Sequence, residues 1–130
     1  MEVGMFERTL KQAGAVVSGV GRDQLDNPTP CDEWKVRQVL NHLIGGLETF
    51  ASGAAGTAVD MDATDYSSGD YVDAFERVSK SALEAFSTAD AMEKSFTLPW
   101  GDTPGQVAFG LALSDAAVHG WDLAKGTDQE

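Results

Sequence analysis

Cysteine is almost absent from this 130-residue chain: Cys31 is the only one, so no internal disulfide can form. That fits a reducing compartment such as the cytoplasm. Cations are scarce as well. Nine Lys and Arg stand against 21 Asp and Glu, a formal charge of −12, with a sequence pI of about 4.3. Such a chain has no electrostatic footprint for DNA or RNA, and anionic membrane surfaces should repel it. No run approaches the roughly 20 apolar residues of a membrane span. The opening MEVGMFERTLKQ lacks the cationic start and apolar core of a signal peptide. These absences predict a cytoplasmic single domain over 1–130, large enough to bury a core without staples.

What is present is helical periodicity. In residues 5–20, Phe6, Leu10, Ala13, Val16, Val17 and Val20 recur at spacings of three and four. Residues 25–34, LDNPTPCDEW, read as a rigid turn, with Asp32 as N-cap and Glu33 in the first turn of the next helix. Residues 34–52 carry a stripe of Val36, Val39, Leu40, Leu43, Ile44, Leu47 and Phe50. Gly45 and Gly46 weaken the middle of that helix by about 1 kcal/mol each relative to alanine, which suits close packing. Residues 53–69 have no period and read as a loop. Helical spacing returns over 70–88, capped by Asp70, and again over 104–125, opened by Pro104 and stopped near Gly126. Between them Phe96, Leu98 and Trp100 alternate, an extended segment before a turn at Gly101-Asp102. Four antiparallel helices without a sheet predict an all-α four-helix bundle.

The last helix poses a chemical question. At about 100° per residue, Val107, Leu111 and Val118 define one side, and Asp115, His119 and Asp122 fall on or beside it. Phe109, Leu113, Ala116 and Ala117 make the helix apolar nearly all round, the mark of a buried one. A buried carboxylate must be paired or bound to a metal. The cluster is thus either a hydrogen-bond network of imidazole and aspartates or part of a cation site. The chain has only one other histidine, His42, at the edge of the apolar stripe of the second helix. Were the two imidazoles to face each other, Asp115 would complete a set of two nitrogens and one oxygen. That leaves open positions of the kind catalytic zinc or non-haem metals use.

Other signals carry less. Cys31 lies beside Asp32 and Glu33, which raise rather than lower a thiol pKa, and reads as structural. GDTPG at 101–105 lacks the Lys-Ser/Thr ending of a phosphate loop and reads as a turn. Asp60, Asp62, Asp65 and Asp70 lack the glycine and terminal glutamate of an EF-hand and read as a solvated loop. No Ser-His-Asp arrangement follows from spacing, and no catalytic side chain is assigned.

TPCDEWKVRQVLNHLIGG at 29–46 and SDAAVHGWDLAKG at 114–126 resemble paired signatures of the DinB-like proteins of actinobacteria. More narrowly, they resemble the metal-binding domain of mycothiol-dependent maleylpyruvate isomerase. The resemblance covers most of residues 5–126. It implies a four-helix bundle holding a divalent metal, zinc first and nickel second, on His42, Asp115 and His119. Asp115 stands where the isomerase has a glutamate. It implies a supporting role for Asp122, orienting a ligand or fixing the helix. It further implies mycothiol as cosubstrate, with the metal lowering the pKa of a bound thiol, and a transferase or isomerase of small electrophiles. Close relatives run on beyond the second motif, which implies a form shortened at the C-terminus. An exposed apolar bundle face would allow a homodimer, which the sequence alone does not decide. The competing expectations are a non-catalytic metal- or ligand-binding module and a purely structural hydrogen-bond cluster.

Overall fold

The computed structural model describes residues 3–31, 33–60 and 64–129. Among them lie four helices: α1 (Val3–Ser18), α2 (Val36–Ala54), α3 (Tyr71–Phe86) and α4 (Gly105–Gly126). The four expected helices are present with boundaries shifted by about two residues. α2 begins at Val36, with Lys35 in the capping position and its N–H donated to Gln38 Oε1 at 2.7 Å. Glu33 therefore precedes the helix rather than charging its first turn, and Asp32 lies outside the described residues. Asp70 caps α3 as expected, accepting the N–H of Asp73 at 3.0 Å.

The expectation of an all-α chain needs correction. β1 (Ser95–Leu98) and β2 (Gly101–Pro104) form an antiparallel hairpin, with Phe96 opposite Thr103 and Leu98 opposite Gly101. The turn is Pro99-Trp100, and Gly101-Asp102 already belongs to the second strand. The alternation of Phe96 and Leu98 was the strand signal, and it continues across the turn into buried Thr103. The hairpin lies against the end of α2 at Gly53. A Cβ there would stand 2.8 Å from the Thr97 carbonyl oxygen, so only glycine admits this contact.

Contacts at the two ends set the helix directions. Phe6, early in α1, meets Phe86 at the end of α3 and Phe109 early in α4, at centroid distances of 5.5 and 5.6 Å. Phe50, late in α2, also meets Phe86. α1 and α4 thus run one way, and α2 and α3 run the other. The expected antiparallel succession fails at α2–α3, because the 55–70 crossover is long enough to return the chain to the start of a parallel neighbour. Phe96 stacks on Phe86 at 5.0 Å and completes an aromatic cluster at this end. Truncating one such buried ring typically costs about 3–5 kcal/mol. No described helix is long and apolar enough to cross a membrane.

Candidate metal centre

At the opposite end, the first half of α2 faces the last half of α4. His42 comes from α2, and Asp115 and His119 from successive turns of α4. The structure brings all three together. Asp115 Oδ1 lies 3.2 Å from His42 Nε2 and 3.2 Å from His119 Nε2. The three candidate ligand atoms fall within 4.8 Å of one another. Metal–ligand distances near 2.0–2.1 Å in a tetrahedral site put neighbouring ligand atoms about 3.3–3.4 Å apart. The two observed separations of 3.2 Å lie just under that spacing and are also hydrogen-bond distances.

Asp115 is shorter by one methylene than the glutamate of the resembled isomerase, yet it reaches both imidazoles. The backbone of α2 makes this possible at Gly46, where a Cβ would stand 3.0 Å from Asp115 Oδ2. The close packing expected of this glycine is therefore packing against the site itself.

Electrostatics concentrate on His119. Its Nε2 faces Asp115, and its Nδ1 is buried 3.3 Å from Asp122 Oδ2 without forming an aligned hydrogen bond. Asp122 is itself buried. The hydrogen bond to Asp115 raises the His119 pKa against the opposing effect of burial, and the charges of Asp115 and Asp122 add to the rise. For Asp115, burial is the largest single influence and opposes ionisation. The hydrogen bonds from His119 and His42, with the charges of both rings, together outweigh it and hold the carboxyl below its ordinary value.

A neutral imidazole has one N–H, and a carboxylate only accepts. With acids on both sides, neutral His119 must turn a lone pair toward one of them. Protonation of the ring, which the two acids favour, removes the conflict by supplying a second N–H; a cation at Nε2 removes it too, with the lone pair on the cation and the single N–H donated to Asp122. This is the usual carboxylate–histidine–metal relay. The donor set and the orphaned Nδ1 both fit a divalent metal.

Two features were not legible as parts of the site. Trp34, in the loop before α2, lies against both imidazoles, with centroids 4.8 Å from His42 and 5.6 Å from His119. Its sequence signal was its place eight residues before His42 in the TPCDEW motif. The second feature is a correction to the buried face of α4. Val107, Leu111 and Val118 are exposed, whereas Ala108, Ala112, Ala116, Gly120 and Leu123 are buried. Between Phe109 and Leu123 the inward side is lined by small residues that let neighbouring helices close in, while Val107, Leu111, Val118 and Trp121 face out. Asp115 and His119 stand on the boundary between the two sides, half-buried. Cys31 is half-buried and contributes its backbone carbonyl to the loop, accepting the Trp34 N–H at 2.9 Å. Asp65, one of the loop acids, accepts from Asn41 and Ser67.

A family model described as the mycothiol maleylpyruvate isomerase N-terminal domain matches residues 6–124. Two Mycobacterium tuberculosis proteins, Uncharacterized protein MT0763 of strain CDC 1551 / Oshkosh and Uncharacterized protein Rv0738 of strain ATCC 25618 / H37Rv, are each 35% identical over 123 residues. The match covers 95% of this chain and 65% of theirs, so the chain spans just under two thirds of the length of these relatives. No solved structure matches.

Proposed function

Because this chain belongs to the mycothiol maleylpyruvate isomerase N-terminal domain family, we propose that it is a metal-dependent transferase or isomerase of small electrophiles with mycothiol as cosubstrate, built on a DinB-like four-helix bundle. His42 Nε2, Asp115 and His119 Nε2 hold a divalent metal, zinc before nickel. Asp122 accepts a hydrogen bond from the His119 Nδ1–H and so fixes the ring with its Nε2 lone pair toward the metal. The bound metal supplies one thing, a lowered thiol pKa that makes thiolate available near neutral pH. A metal held by these three residues would keep an open position, as catalytic sites with three protein ligands do. The ligand side chains keep 14–24% of their surface exposed at the α2–α4 edge, and this opening is the way in for thiol and electrophile. We extend the reading to a homodimer formed through the outer face of α4, in a cytoplasmic setting.

The observation that carries this reading is the convergence of both histidines of the chain on one oxygen of Asp115 at 3.2 Å. Protein purified without a metal-chelating tag is expected to retain close to one equivalent of divalent metal. His42→Ala and His119→Ala should each lose it while keeping their helical circular dichroism. Full metal content in both variants refutes the ligand assignment. An assay with mycothiol and a generic electrophile then separates turnover from binding alone. Binding without turnover would make the chain a non-catalytic module.

A further inference from the structure

Building on that metal-site reading, we propose that Trp34 is a positioning residue of the centre: its indole braces both histidine ligands and fixes the angle at which their rings meet the metal. Three rings form one cluster. Trp34 stands 4.8 Å from His42 at an interplanar angle of 48° and 5.6 Å from His119 at 33°, and the imidazoles are 4.8 Å apart at 73°. His42, held at Nε2, can still swing about χ2, which is a broad torsion, whereas His119 also faces Asp122 through Nδ1. A flat ring against both imidazoles removes that freedom. Metal-bound imidazoles also carry positive charge, which an indole face accommodates well.

The loop that delivers Trp34 is built to hold it. The Thr29 hydroxyl donates to the Trp34 carbonyl at 2.7 Å, and the Trp34 N–H donates to the Cys31 carbonyl at 2.9 Å. The loop is tied to both ligand-bearing helices. Val36 N–H, in the first turn of α2, donates to the Asn27 carbonyl at 3.0 Å, and the Asn27 side chain donates to the carbonyl of Gly126 at the end of α4 at 3.1 Å. Asn27 thus ties the chain just before the TPC motif to both α2 and α4, and Trp34 brings one large ring to the point where their histidines meet.

The test uses cobalt(II) as the probe, read by its visible ligand-field bands and by chelator competition, in wild type, Trp34→Leu, Trp34→Phe and His119→Ala. Leucine keeps apolar bulk but removes the flat ring, and phenylalanine restores a flat ring. Trp34→Leu should bind cobalt about 10–100-fold more weakly, the range expected when support outside the ligand set is lost, with shifted bands and an unchanged helical signal. Trp34→Phe should recover most of the affinity and the wild-type band positions. His119→Ala should show no bands. Wild-type affinity and bands in Trp34→Leu would overturn the proposal while leaving the metal site standing. Absence of cobalt bands in the wild type would overturn the metal reading and this proposal together. Equal loss in the leucine and phenylalanine variants would also overturn it, since a merely space-filling tryptophan behaves that way.

Discussion

At the scale of single residues, the site depends on an absence. Gly46 has no side chain where one would stand 3.0 Å from the Asp115 carboxylate. In an exposed helix interior, glycine costs about 1 kcal/mol relative to alanine. Gly46→Ala sets these effects against each other: helix propensity gains, and the carboxylate must move by a few tenths of an ångström. The end of an aspartate side chain can move that far, so the fold should tolerate the change. The metal ligand cannot move without leaving the position that Nε2 of both histidines shares. We expect Gly46→Ala to match or exceed wild type in metal-free melting temperature and to bind zinc more weakly, measured by chelator competition. A variant that melts lower and keeps wild-type zinc affinity would show that the contact is structural only. The residues of α4 were legible here because helical spacing alone puts Asp115, His119 and Asp122 together. His42 was not legible from spacing, since pairing across helices is long-range, and the family resemblance supplied it. Trp34 was missed because a loop delivers it, and loops carry no period.

At the scale of elements, the helices were legible and their arrangement less so. Amphipathic period marks where a helix is but not which neighbour it meets. α4 shows this best. Its residues are apolar on almost every side, so its period gave no direction, and size was the wrong guide. Ala108, Ala112, Ala116 and Gly120 face inward where helices approach closely, and Val107, Leu111, Val118 and Trp121 face outward. The crossover from α2 to α3 gave no period either, yet part of it is tied down. Asp65 caps a short 3₁₀ turn at Tyr66–Ser68, and Asn41 of α2 accepts the Ser67 N–H at 3.0 Å. Arg22 reaches over to the Gly69 carbonyl. The Ser67 hydroxyl, then the Asn41 amide, hold the Asp65 carboxyl below its ordinary value of 3.8, against a lesser effect of burial. A depressed carboxyl contributes stability above its unfolded-state pKa and loses it as pH falls through the folded value. The turn should therefore keep its contacts from neutrality down to about pH 5 and release only in stronger acid, below about pH 4. In an NMR titration the Ser67 amide shift should inflect below pH 3.8. It should not inflect in Asp65→Asn. An inflection above that value in the wild type would mean that these hydrogen bonds do not hold the carboxyl.

At the scale of the whole molecule, the decisive quantity is charge. Copies carrying −12 each repel, and they can associate only across a face that lacks carboxylates. The outer side of α4 is such a face. Its exposed residues include Val107, Leu111, Val118 and Trp121, with one lysine and no acid. Beside it, between α1 and α4, runs a groove of about 590 Å³ lined by Gln12, Val16, Gly120, Trp121 and other uncharged side chains. Four half-exposed apolar side chains along one helix fall short of the roughly 800 Å² per partner of a standard interface. Helix and groove together form a broader uncharged surface. The same surface carries both a protruding indole and a groove, which suits a two-fold pairing in which each copy presents what the other receives. Two physical consequences follow. Salt should strengthen the dimer rather than weaken it, because it screens the repulsion between the acidic remainders and leaves apolar contact intact. A single carboxylate placed in the centre of the face should dissociate it. By light scattering at about 100 μM, the wild type should therefore approach twice the 13.8 kDa chain mass, more completely at about 0.5 M salt than at about 0.05 M. Leu111→Glu should remain at the chain mass at both salt concentrations while keeping its helical signal. A wild type that stays at 13.8 kDa in both buffers would refute self-association through α4.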